Sequence, residues 1–408
     1  AASVLREFPD LSSRLDEPMP GGAFGATPLL AAVSAGSREM IDVLLAAGAD
    51  INARSHWWAG SFGVLDHDGE LADFLIERGA IVDAHAAARL GRIERLRELL
   101  DTDSALVHAR GGDGQTPLHF ASTVEVASLL LERGADIDAC DIDHESTPAQ
   151  WMIRDRQPVA RFLVGRGCRT DVLMAAALGE AALVQQHLDA DPAAIRTTVS
   201  DRYFPRRDPR SAGSIYLWTL GANKDAHTIA RELGHRAVFR LLMDRSPDSL
   251  KFAVACSLGD EQIARDLLSE DAALATRLSP DELSRLPAAA QENDTRVVSV
   301  MLGSGWPLDA RGQHGATALH WAAFHGNAEM TRRLLARGAP IDVVDRDYAG
   351  TPMRWAIYGS THGWHCRTGD YAGVVRALVE AGAPVPADAD LADASQAVKD
   401  AVREARND

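Results

Sequence analysis

The stretch GSTHGWHCRTGDY, Gly359 to Tyr371, places two His, a Cys, a Trp and an Asp within thirteen residues. His362, His365 and Cys366, with Asp370 as a fourth ligand, are donor types that zinc or iron accepts. Cys366 beside an imidazole is also the raw material of a nucleophile, because a nearby imidazole lowers the thiol pKa. The spacing argues against both chemistries. His-x-x-His-Cys in a Gly-rich segment matches no standard structural zinc pattern, adjacent His and Cys seldom face one ion, and no orienting group or oxyanion donor accompanies the Cys. The expectation is therefore no metal, no cofactor and no catalysis here. His362, Trp364 and His365 are expected instead to decorate a binding surface, with Trp364 docking on neighbouring elements.

Other stretches invite the same question. Asp66-His67-Asp68, inside SHWWAGSFGVLDHDGE (Ser55 to Glu70), could form an acid–base pair or hold a metal. It also precedes an apolar run, so a capping turn is the simpler reading. Arg196, Arg202, Arg206, Arg207 and Arg210 lie beside Tyr203 and Phe204 in one connection and could grip a phosphate or carboxylate, but a solvated loop balancing an acidic surface is the expectation.

These side chains must be positioned by a scaffold, and the sequence describes one. GATPLLAAVSAGSREMIDVLLAAGADINA (25–53), GQTPLHFASTVEVASLLLERGADIDA (114–139) and GATALHWAAFHGNAEMTRRLLARGAPIDV (315–343) are copies of one pattern. In each, Thr followed by Pro or Ala starts a helix, and Gly48, Gly134 or Gly338 stops the second one. The 114–139 copy alone of these three is cut short, lacking about three residues between its helices. Apolar positions at helical spacing, such as Ile41, Leu44 and Leu45 or Met330, Leu334 and Leu335, make faces that one unit cannot bury alone. Weaker copies at 85–100, 144–167, 173–188, 227–243, 252–268, 288–302 and 350–382, with an aberrant one at 56–82, bring the count to roughly eleven.

The recurring TPLH and GADI signatures, at a period near 33 residues, resemble the ankyrin repeat family. The resemblance implies an all-α solenoid of helix pairs over nearly the whole chain, with His119 and His320 tying adjacent loops together. The expected divisions are an N-terminal cap (1–23), a first repeat block (24–195), an Arg-rich insertion (196–225), a second block (226–385) and a polar capping helix (386–408). IYLWTLGANKDAHTIARELGH (215–235) and TPMRWAIYGSTHGWHCRTGDYAGVV (351–375) are similar to long bacterial ankyrin proteins, a group that carries no assigned reaction.

Phe120, Trp151, Trp321 and Trp355 each follow a T-[PA]-x-x tetrad, so in stacked repeats they occupy equivalent places along the inner helices. They can pack between helices or offer large, rigid recognition surfaces. Asp143, His144, Asp345, Asp347 and Tyr348 are expected to form a polar rim around them, and Arg354 stands where the signature has His. Fifty-eight acidic against forty-two basic residues give a net charge of −16, which repels nucleic acid and anionic lipid. No run of about eighteen apolar residues is present, so no membrane span is expected. Cys140, Cys168, Cys256 and Cys366 are widely separated and read as reduced thiols of a cytoplasmic protein. The opening AASVLREFPD has no leader pattern.

The functional expectation is a non-catalytic scaffold that binds a basic or mixed-charge protein in its groove. The alternative is a small-molecule-binding protein or enzyme with a polar His/Trp/Asp pocket roofed by two loop insertions, 359–371 and 55–70.

Overall fold

A computed structural model describes residues 7–66 and 69–407. Among these residues there is no β-strand, only two isolated bridges, Gly111 with Gln115 and Thr198 with Asp225. The chain divides into two compact units, Ala1–Leu241 and Leu242–Asp408, the division falling within the Arg236–Arg245 helix.

Each unit is built of short antiparallel helix pairs. In the first, the pair Pro28–Ser34 and Arg38–Ala46 is followed by a single short helix, Ala72–Ile76, and then by pairs at Ala84–Arg89/Ile93–Thr102, Pro117–Phe120/Val124–Glu132, Pro148–Met152/Gln157–Gly165 and Val172–Leu178/Ala181–Ala190. In the second, the pairs are Asp248–Ser257/Glu261–Glu270, Arg285–Gln291/Thr295–Gly303, Ala318–Phe324/Ala328–Leu335 and Pro352–His362/Tyr371–Glu380, closed by Gln396–Asn407.

The capping letters act as their chemistry requires. The Thr27 hydroxyl accepts from the Leu30 N–H, and Thr351 does the same for Arg354. Gly48, Gly134, Gly338 and Gly382 have φ between 85° and 99°, the left-handed region where a Cβ is penalised. Inner helices are almost wholly buried: Ala318, Leu319, Ala322 and Ala323 have no exposed surface. Small residues there let successive inner helices approach, while Val298, Met330, Leu334 and Val374 fill the layer beneath.

Three local differences from expectation have physical causes. In the 114–139 copy the missing residues shorten the inner helix to four residues, against seven at Ala318–Phe324, and the chain is re-anchored where Ser122 donates its N–H and hydroxyl to the Ala88 carbonyl. The 359–371 insertion is only partly a loop, because Gly359 to His362 extend the inner helix to eleven residues. That extension requires glycine at 359, where a Cβ would stand 2.4 Å from the Phe324 carbonyl oxygen. The C-terminal cap begins with a short turn at Asp388–Leu391, and its helix runs later than the polar pattern suggested.

Candidate functional site

The second unit carries a cleft of about 480 Å³ lined by His314, Trp321, Phe324, Tyr348, Gly350, Arg354, Trp355, Tyr358 and Trp364. Its floor is made by the two tetrad-following tryptophans. Trp321 and Trp355 are 4% and 7% exposed, and their rings meet edge to face at 5.0 Å. The insertion supplies one wall: Trp364 lies nearly parallel to Trp321 at 6.1 Å and edge-on to Phe324 at 5.4 Å. Trp364 itself is 66% exposed, so it docks by one face and leaves the other to solvent. Tyr348 and Tyr358 complete an exposed rim.

Asp345 holds this arrangement together. Its Oδ1 accepts from the Asp347 and Tyr348 N–H groups at 2.9 and 2.7 Å. Its Oδ2 accepts from the Gly350 N–H at 2.8 Å and the Trp355 indole N–H at 2.9 Å. Burial alone would raise the Asp345 pKa, but the four donors outweigh it and hold the carboxyl below its ordinary value. The expectation of a polar rim is therefore corrected for Asp345, which is buried because the finger turn wraps round its carboxylate. Asp347 does lie on the exposed edge, bridging Arg346 and His314 Nδ1, and these partners lower it to about 2.

The first unit repeats the device. Asp141 Oδ1 accepts from the Ser146 N–H at 2.8 Å and the Trp151 indole at 3.2 Å, while Oδ2 accepts from the His144 N–H at 2.7 Å. Asp and Trp ten residues apart, Asp141 with Trp151 and Asp345 with Trp355, are a spacing visible in the sequence whose use only the folded turn shows. Phe120 packs edge-on against His85 at 5.5 Å, and Trp151 against His144 at 5.2 Å. Asp143 and His144 are also buried rather than on a rim, covered by the long connection, whose Ser211 hydroxyl and Ala212 N–H donate to the Asp143 carbonyl.

His119 and His320 tie loops as expected. The Thr116 N–H donates to His119 Nδ1 at 3.1 Å, which leaves Nε2–H to donate to the Ser146 carbonyl at 3.1 Å. His320 repeats this with Thr317 and Gly350. Burial pushes His119 down to about 3, so it stays neutral.

The residues of the opening stretch are used separately. His362 stacks on Tyr358 at 4.6 Å and shares a hydrogen bond with the Thr361 hydroxyl through Nδ1. His365 faces the His325 ring at 5.1 Å. Asp370 Oδ1 accepts from the Gly373 N–H and caps the Tyr371–Glu380 helix. In the Ser55–Glu70 stretch, Asp66 is buried, accepts from the Gly63 N–H and pairs with Arg54, while His67 and Asp68 lie outside the described residues. The Arg-rich connection is balanced within itself where Arg206 meets Asp201 and Arg210 meets Asp208, and against the Asp141–Ser146 turn where Arg207 meets Glu145. The Arg354 guanidinium, by contrast, makes no hydrogen bond or ion pair recorded among the described residues. Sequence reasoning missed His314, Phe324 and Tyr358 as lining residues, because only packing of the extended helix beside the finger brings them to the cleft. No helix among the described residues is long and apolar enough to cross a membrane.

Comparison with known proteins agrees with this architecture. The family described as "Ankyrin repeats (3 copies)" matches residues 252–347 and 286–389, and "Ankyrin repeat" matches 24–56 and 113–142. The human protein phosphatase 1 regulatory subunit 27 is 30% identical over 124 residues, 27% of this chain and 80% of its own length. Ankyrin repeat domain-containing protein SAT10 of Stachybotrys chartarum is 26% identical over 385 residues, 84% of this chain and 18% of its own. E3 ubiquitin-protein ligase XB3 of Oryza sativa subsp. japonica is 37% identical over 108 residues, 26% of this chain and 24% of its own. The chain thus spans under a quarter of the length of these last two relatives. Thr-capped inner helices, glycine-stopped outer helices and loop-tying imidazoles give these sequence matches their physical basis, and the chain belongs to the ankyrin repeat family.

Proposed function

We propose that this protein is a non-catalytic scaffold that seats a side chain of a protein partner in the aromatic cleft of its second unit. The observation that carries the reading is the grouping of Trp321, Trp355 and Trp364 round one cleft, with the Arg354 guanidinium, unpaired among the described residues, at its edge. Three indoles offer a large contact area with few rotors to freeze, as interface anchors do. Ankyrin repeats generally mediate protein–protein interaction, which supports the same reading. The partner segment is of mixed charge: an apolar or aromatic anchor for the cleft, a carboxylate for Arg354, and basic flanks suited to a chain of net charge −16. The exposed rim rings, Tyr348, Tyr358 and Trp364, suit a protein segment better than a small molecule, which favours enclosure. Four free thiols fit a reducing, cytoplasmic setting, and the 215–235 and 351–375 stretches support kinship with bacterial ankyrin proteins.

The test is selection of displayed random peptides on the protein, with counter-selection on Trp364→Ala and Arg354→Glu variants. Peptides with an aromatic anchor near an acidic residue, lost on both variants, are the expected product. Peptides that bind both variants as tightly as the parent would remove the cleft from consideration.

A further inference from the structure

Outside the aromatic cleft, the first unit buries a cluster the scaffold reading does not use. His144 Nε2 stands 3.9 Å from Asp113 Oδ2 and 3.9 Å from Asp143 Oδ2. The three residues are 8%, 9% and 3% exposed, in that order. They come from two successive finger turns, held in register because the Asp113 carbonyl accepts from both the Ile142 and Asp143 N–H groups.

The hydrogen bonds fix the imidazole tautomer. His144 Nδ1 lies 3.0 Å from the Gly213 carbonyl oxygen. A carbonyl can only accept, so Nδ1 carries the proton. In the neutral ring Nε2 then directs its lone pair toward two carboxylates. His119 and His320 use the opposite tautomer, so this orientation is not a consequence of the repeat. One oxygen of Asp143 takes a weak bond from the Ala212 N–H at 3.3 Å; Asp113 Oδ1 is buried without a hydrogen bond of ordinary geometry, and the donor that bears on its carboxylate is the Trp57 indole N–H, itself buried and unbonded. A buried anion and a lone pair aimed at a common point are unfavourable unless a positive species, a proton on Nε2 or a metal ion, lies between them.

We infer that Asp113, Asp143 and His144 form a binding site for a divalent first-row transition metal ion such as Zn²⁺. One imidazole nitrogen and two carboxylate oxygens are a donor set such ions accept, and a ligating His that gives its other N–H to a backbone carbonyl is the usual second-sphere arrangement. The three ligand atoms all lie within 4.8 Å of one another. Tetrahedral bonds of about 2.0–2.2 Å set ligand atoms about 3.4 Å apart, so the side chains must turn inward to close round the ion. Three protein ligands leave a position for water or a further donor. Bound there, the ion joins the Gly111–Gln115 turn, the Asp141–Ser146 turn and, through Gly213, the long connection.

Isothermal titration of the metal-stripped full chain with ZnCl₂, and Co²⁺ absorption spectra, test this directly. One site per chain is expected, with d–d bands of a nitrogen/oxygen-ligated Co²⁺ lacking the thiolate charge-transfer band that a Cys site would show. His144→Gln and Asp113→Asn should each weaken binding by at least about tenfold, and His365→Gln should leave it unchanged. If a variant fails to fold, ¹⁵N-resolved NMR of the parent still decides, since Zn²⁺ must shift the His144 Nε2 resonance. The inference is overturned if Nε2 proves protonated and unmoved by Zn²⁺, or if binding persists in both folded variants.

Discussion

Replacing Asp345 by Asn tests the reasoning that a finger aspartate builds the aromatic cleft. Asn is nearly isosteric, but only one of its two terminal atoms accepts hydrogen bonds. Of the four donors now served, Asp347 and Tyr348 N–H on one oxygen and Gly350 N–H and Trp355 Nε1 on the other, one pair must face an amide nitrogen. Each buried donor left without an acceptor costs about 1–3 kcal/mol. With partial relaxation of the turn toward water, the expected loss is about 2–4 kcal/mol. Urea unfolding of parent and Asp345→Asn, followed by circular dichroism, measures it for the second unit's transition. A cycle with Trp355→Phe isolates the indole bond, expected to couple by about 1–2 kcal/mol because its acceptor is charged. The sign of the pH effect is also fixed. The folded-state pKa of Asp345 is depressed, so its contribution is present above its ordinary value of 3.8 and is lost as pH falls through the lower folded value. Asp345→Asn should lack that component. A variant within about 0.5 kcal/mol of the parent, or strict additivity with Trp355→Phe, would refute the account.

Other expectations follow from the same geometry. His119 falls from 6.5 to about 3 on burial, so the unfolded chain takes up the proton first and stability drops as pH falls below 6.5. Between pH 7 and pH 5 this amounts to about 2 kcal/mol, a component that His119→Gln should remove from the first unit's unfolding curve. Gly359→Ala would stabilise an exposed helix by about 1 kcal/mol, yet here its Cβ meets the Phe324 carbonyl at 2.4 Å, so a net loss in thermal midpoint is expected. Trp364→Ala should change the unfolding free energy little, since the side chain is 66% exposed, while weakening any peptide selected on the parent by at least about tenfold. Surface plasmon resonance with that peptide reads the difference.

Much of the fold was legible because its determinants are local. A Thr before Pro28 or Pro352 satisfies orphan N–H groups within one turn, and a Gly after an outer helix needs only its own φ, so each repeat announces its helix ends in a few letters. The apolar spacing of Met330 and Leu334 likewise implied a neighbour to stack on. Local letters also misled where neighbours decide. Asp143, His144 and Asp345 read as rim residues, since a finger tip is polar by composition, yet each carboxylate or ring is enclosed by N–H groups or by a connection about 70 residues away in sequence, as Gly213 is from His144. Gly359 read as a loop residue, because sequence shows its flexibility but not the Phe324 carbonyl beside it. Tertiary structure alone set Trp364 against Trp321, brought His314 and Tyr358 to the cleft, and aimed His144 Nε2 at Asp113. Helix ends are settled by interactions spanning three or four residues, which a linear pattern records. Convergence of side chains depends on how whole elements pack, and that information is spread over the entire unit.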